Sequence, residues 1–132
     1  MTQRNKRFLF DQFPAFVWAG VIFYVSSIPG DKLPNIVHYF NDKFLHTVFF
    51  CIFGILIYRL LNSFQPPDIF RWKNIIIEIL IVSAYGALDE FHQSFVPGRT
   101  PDVKDATADT FGGMLAALAV YFYFRLKRRS DW

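Results

Sequence analysis

With a single cysteine, Cys51, the 132-residue chain can form no intramolecular disulfide. The neighbours Phe49, Phe50, Ile52 and Phe53 mark a packed, inert thiol rather than a redox group. No HExxH run or other closed metal signature occurs, so no metal is assigned from spacing alone. There is no internal repeat and no low-complexity tract, which excludes a solenoid or a compositional linker. A basic polar face is missing too. The net charge is +3, but its lysines and arginines sit beside hydrophobic blocks, which excludes nucleic acid as a partner and points to membrane orientation.

What is present is apolar. Hydrophobic residues make up 53% of the chain, 17 of them Phe, and they come in long blocks rather than amphipathic stripes. The mean hydropathy of +0.24 averages these blocks with short, highly charged connectors. Four blocks, at about 13–28, 44–61, 75–96 and 101–124, each approach the roughly 20 residues that cross a hydrocarbon core as a helix. The expected fold is therefore all-α, a single integral membrane bundle of four transmembrane helices. The first block follows Arg4, Lys6 and Arg7, as a signal peptide would, with Ser26 and Ser27 near a cleavage point. Pro29 beside that point, and charges that alternate for an even number of spans, favour a retained helix.

Lysine and arginine placement sets the orientation. Ten of them (Arg4, Lys6, Arg7, Arg59, Arg71, Lys73, Arg125, Lys127, Arg128, Arg129) fall on one side and four (Lys32, Lys43, Arg99, Lys104) on the other, interleaved with acids. Both termini are expected in the cytoplasm. Trp72 and Trp132 lie near cytoplasmic boundaries, where amphipathic rings favour headgroups. Ser63 to Asp68, with Pro66 and Pro67, reads as a cytoplasmic turn, and Pro29 to Asn41 as the longest outer loop. Thr100-Pro101-Asp102 reads as the start of span four, with Asp102 in a capping role.

This topology gathers the uncommon polar residues on one side. At about 1.5 Å per residue, Asp89 lies about 10 Å below Val96, Asp109 about 13 Å below Thr100 and His46 about 7 Å below Asn41, so the three can share a level. Asp42 and His46 are four apart, Asp89 is three from His92 and four from Gln93, and Asp105 is four from Asp109, giving each span a polar ridge. Gly112, Gly113, Ala116 and Ala117 continue the ridge on span four, with Gly54 and Gly86 on spans two and three, and allow close helix approach. Carboxyls at such depth need a partner or a hydrated cavity. Solvated caps account for Asp31, Asp42 and Asp102, surface charges for Lys32, Lys43 and Lys104, an interfacial histidine for His38, and a surface pair with Lys73 for Glu78. The deeper set of His46, Asp89, Glu90, His92, Arg99, Asp105 and Asp109 is either an internal hydrogen-bond network or a functional site.

The run Tyr85-Gly86-Ala87-Leu88-Asp89-Glu90-Phe91-His92-Gln93-Ser94-Phe95-Val96-Pro97-Gly98-Arg99, followed by Asp105, Asp109 and Gly112, resembles the signature of the VanZ-like family. Ser26-Ser27-Ile28-Pro29-Gly30 and Asp42-Lys43-Phe44-Leu45-His46 with Gly54 do so as well. These motifs run in order over nearly the whole chain, and DE-x-HQ-x-F-x-PGR is specific. The resemblance implies a multi-helix bacterial inner-membrane protein, from a family whose founding member is associated with reduced sensitivity to the glycopeptide teicoplanin.

The expected function is binding or modification of a cell-envelope lipid or lipid-linked precursor. Arg99 would fork to phosphate or carboxylate, while His46, Glu90, His92, Gln93, Asp105 and Asp109 shape a wet cavity. Two other readings stand beside it. In a hydrolase, His46, Asp89, Glu90, His92 and Asp109 are the candidate catalytic residues, and oxygen ligands with two histidines would suit several divalent metals. In a transport or scaffold subunit the polar network is structural, and the small-residue face of span four permits a homo-oligomer.

Overall fold

A computed structural model describes residues 2–33, 41–64 and 70–130. His38, Pro66, Pro67 and Trp132, and with them most of the outer loop and the cytoplasmic turn, lie outside the described residues. Those residues form four long helices and no strand: α1 (Phe13–Ser26), α2 (Asp42–Ser63), α3 (Trp72–Gln93) and α4 (Val103–Ser130). The end of the bundle where α2 and α4 begin, and α1 and α3 finish, is called the upper end below.

Each boundary has a chemical cause. Asn41 caps α2, its side-chain oxygen accepting the Lys43 N–H at 3.0 Å, and Asp102 caps α4 by accepting the Lys104 N–H at 2.9 Å, so each closes an otherwise orphaned donor. Helix α4 thus begins at Val103, just after Pro101, and Asp102 has the capping role expected of it. The third block ends earlier than expected. Helix α3 stops at Gln93, followed by a turn in which Val96 and Pro97 lead to Gly98 at φ +73°, a left-handed conformation that favours glycine.

Helix α1 extends backwards through a π-helical turn, Phe8–Gln12, and a short helix, Gln3–Arg7. Pro14 explains the irregularity, since it has no N–H for the Phe10 carbonyl four residues earlier. Arg59 of α2 takes over that acceptor, donating to Phe10 O at 2.9 Å and pairing with Asp11 at 3.0 Å.

Apolar side chains from three helices, Ala15 and Ile22, Phe50, Phe53 and Ile57, and Val82, form the main core. Tyr58, Ile75 and Val120 form a second, lower one. Outside, large apolar side chains are exposed, and inside, several polar ones are buried. Helix α3 exposes Ile76, Leu80, Leu88 and Phe91, and α4 exposes Phe111, Met114, Leu118 and Phe122, while Asn74, Glu78, Asp89, Glu90, Gln93, Asp105 and Asp109 are buried. By length and apolarity alone, two helical runs among the described residues, Asn5–Ser26 and Asp42–Ser63, are able to cross a membrane.

Glycines set the closeness of the α2, α3 and α4 crossings. A Cβ on Gly112 would lie 2.6 Å from the Thr47 carbonyl oxygen of α2, and one on Gly86 would lie 2.7 Å from the Asp109 side chain. The small-residue face of α4 is therefore used within the bundle: Gly112, Gly113 and Ala116 are all buried.

Glu78 is not a surface partner of Lys73. It is 0% exposed, and neither carboxyl oxygen has a hydrogen-bond partner among the described residues. It lies against Gly54 and Gly113, where an added Cβ would stand 2.4 and 3.4 Å from Oε1. An unpartnered carboxyl in such surroundings is destabilising. Glu78→Gln, which keeps the shape and removes the charge, is expected to leave the thermal midpoint in detergent unchanged or to raise stability by up to about 3 kcal/mol. A clear fall in that midpoint would show that the carboxyl is held by a partner.

Candidate functional site

The polar residues of the upper end divide into three groups, each built by a different pair of elements. Between α2 and α4, His46 Nδ1 lies 2.8 Å from Asp109 Oδ1, with the histidine side chain 11% exposed and the aspartate 0%. Asp42, one turn before His46, lies 3.9 Å from the ring's other nitrogen. Above them, Lys43 Nζ donates to Asp105 at 2.9 Å and to Asp102 at 3.4 Å. Lys43 is thus half-buried and bridges two acids of α4, where the sequence suggested a plain surface charge.

The second group links α3 to α4. Glu90 Oε2 accepts the backbone N–H of Asp102 at 2.8 Å, so the carboxyl of one helix caps the start of the next. One ligand atom each of His46, Glu90 and Asp109 lies within 4.8 Å of the others. Asp89 accepts from Gln93 Nε2 at 3.0 Å.

The third group belongs to α1. Arg99 Nε donates to the Ile28 carbonyl at 3.0 Å, and Nη2 to the Val25 carbonyl at 2.9 Å. A cation at a helix C-terminus satisfies orphaned carbonyls and the negative end of the dipole together. Two of the five guanidinium donors are therefore committed to the fold. His92 turns to α1 as well: Nε2 is 2.9 Å from Ser27 Oγ, and the ring lies 4.5 Å from that of Phe23. Nearby, Gly30 N–H donates to the Pro97 carbonyl at 3.1 Å, tying the loop after α1 to the turn after α3.

A cavity of about 150 Å³ opens between α1, α2 and α3. Its polar wall is Ser26, Asp42, His46, Asp89, Gln93 and Arg99, and its apolar wall includes Ile22, Val25, Leu45 and Phe49. Of the residues singled out from sequence, His46, Asp89, Gln93 and Arg99 share this cavity. Glu90, Asp105 and Asp109 stand behind His46, and His92 stands apart. Sequence reasoning missed Ser26 as part of the wall, although its hydroxyl is buried and has no hydrogen-bond partner among the described residues. Its position four residues after Ile22, on the inward face of the first block, was the available signal. A wider groove of about 610 Å³ at the lower end is lined partly by Arg59 and Asp11, already paired with each other.

Two helical runs long and apolar enough to cross a membrane, exposed apolar faces and an interior that gathers acids and His46 suggest a helical membrane protein with a polar inner site. The family model described as VanZ/LLP1 matches residues 10–125, and the chain belongs to that family. No curated protein and no solved structure matches it.

Proposed function

We propose that the chain crosses the cytoplasmic membrane four times, with both termini inside, and uses the upper cavity to bind the polar headgroup of an envelope lipid or lipid-linked precursor at the outer leaflet. The topology is supported by the exposed apolar faces of α3 and α4, whose polar residues point inward, and by the excess of lysine and arginine at the lower end. The binding reading is carried by one observation: the cavity pairs a wall of charged and hydrogen-bonding groups with a wall of aliphatic and aromatic ones. At about 150 Å³ it has room for a headgroup fragment, roughly five waters' worth of volume. The acyl chains would then lie along the exposed apolar helix faces. Within the cavity Arg99 supplies positive charge for a phosphate or carboxylate, while Asp42 and Asp89 accept from hydroxyl or amine donors. Modification of that headgroup, and an effect on teicoplanin sensitivity, are extensions of the same reading.

Lipid extracted from detergent-purified protein and identified by mass spectrometry tests this. An Asp89→Asn variant that still elutes as wild type is expected to lose about tenfold or more of a specifically retained lipid, as a charge-assisted hydrogen bond is worth roughly 1.5–3 kcal/mol. Identical lipid in both preparations would overturn the headgroup reading, and terminal tags on opposite sides of the membrane would overturn the topology.

A further inference from the structure

Near the cavity, the carboxyls of Glu90 and Asp109 are each satisfied on one oxygen only. Asp109 Oδ1 faces His46 Nδ1, and Glu90 Oε2 holds the Asp102 N–H. The other two oxygens, Asp109 Oδ2 and Glu90 Oε1, are buried with no hydrogen-bond partner among the described residues. The residues are 0% and 7% exposed. Buried acceptors are normally paired, and buried carboxylates lying together repel unless a proton or a metal cation joins them.

We propose that His46, Glu90 and Asp109 bind one divalent transition-metal cation of the kind that takes mixed nitrogen and oxygen ligands, such as zinc or manganese. One atom of each residue lies within 4.8 Å of the others. Metal–ligand bonds of about 2.0–2.2 Å place tetrahedral ligand atoms roughly 3.3–3.6 Å apart, so binding would replace the 2.8 Å hydrogen bond between His46 Nδ1 and Asp109 Oδ1, with the imidazole giving up the proton that now lies between them. Two carboxylates and a dication sum to zero charge, which suits a buried site. An imidazole with two carboxyls supplies too few oxygens for calcium, and the absence of sulfur from the set disfavours a soft metal such as Cu(I). The overlapping trio of Asp42, His46 and Asp105 is the weaker cradle, because Asp42 is exposed and Asp105 is held by Lys43 at 2.9 Å.

His46 belongs both to this cluster and to the cavity wall, so a bound cation would stand directly behind the surface that meets the headgroup. The metal site does not rest on the lipid reading.

The test uses full-length protein purified in detergent through a tag free of histidine, stripped with chelator and reloaded with Zn²⁺ or Mn²⁺. Elemental analysis after gel filtration is expected to find one cation per chain. Asp109→Asn and Glu90→Gln are each expected to weaken retention by well over about tenfold, since outer-shell partners alone are worth that much. His92→Gln is expected to retain metal, because His92 pairs with Ser27 on the α1 side. With Mn²⁺ bound, the nitrogen coupling from imidazole in electron spin-echo spectra should vanish in His46→Gln and persist in His92→Gln. Substoichiometric metal in the wild type, equal retention in wild type and both carboxyl variants, or nitrogen coupling that survives in His46→Gln would each overturn the site. Lipid content measured on the same preparations separates this outcome from that of the headgroup proposal.

Discussion

Gly112→Ala is expected to cost the bundle about 1–3 kcal/mol, and Gly112→Leu to yield no folded protein. A methyl at this position would stand 2.6 Å from Thr47 O, 2.9 Å from Cys51 N and 3.1 Å from the Phe50 carbonyl carbon. All three are backbone atoms of α2, so no rotamer change relieves the contact. The helices must separate instead, and a gap of even about half an ångström forfeits a large part of the dispersion attraction along the seam. That separation also draws Asp109, three residues before Gly112, away from His46. Gly20 provides the control, because nothing lies within 4 Å of a Cβ built there. Thermal midpoints in one detergent, read by gel filtration after heating, should therefore fall sharply for Gly112→Ala and hold for Gly20→Ala. Equal midpoints would mean that α2 and α4 do not cross at this distance.

The same crossing shows how far the fold is legible from residues alone. Spacings of four along α2 and α4, combined with depth counted from the turns, were enough to bring His46 and Asp109 to one level, and the structure places them 2.8 Å apart. The glycines at 54, 86, 112 and 113 likewise announced close approach, which follows from their lack of a side chain whatever the partner is. Rotation about the bundle was not legible. Spacing puts His92, three residues from Asp89, on the same ridge, yet it faces Ser27, because only the position of α1 around the bundle decides which edge of that ridge meets which neighbour.

The contacts of Arg99 with α1 and the burial of Glu78 were illegible or overlooked for related reasons. The arginine follows a glycine turn, and a one-dimensional reading cannot show that this turn delivers it to the carbonyls of Val25 and Ile28. Nearness to Lys73 suggests a surface pair for Glu78, whereas the residue stands in line at intervals of four with the buried Asn74, Val82, Gly86 and Glu90. That periodicity was visible, and it carried more information than local charge did. The polar interior thus continues well below the cavity, past Val82 to Glu78.

The largest electrostatic effect is expected where His46 meets Asp109. Removing either partner of a buried pair leaves the other without compensation, and His46→Ala or Asp109→Ala should each destabilise by about 3–5 kcal/mol. With both removed, no uncompensated group remains, so the double variant should cost clearly less than the sum, by a coupling of about 1–3 kcal/mol. The measurement is a double-mutant cycle on thermal midpoints in the presence of chelator, which isolates the side-chain pair from any bound cation. Salt separates this pair from its neighbour: screening acts on the half-exposed Lys43–Asp102 contact and little on a pair whose aspartate is 0% exposed, so the coupling should persist at high ionic strength. Additive effects of the two substitutions would show that the histidine and the aspartate do not interact. In that case the core of the upper site would be Lys43 with its two acids, and both the cavity wall at His46 and the cation ligands behind it would lose their common anchor.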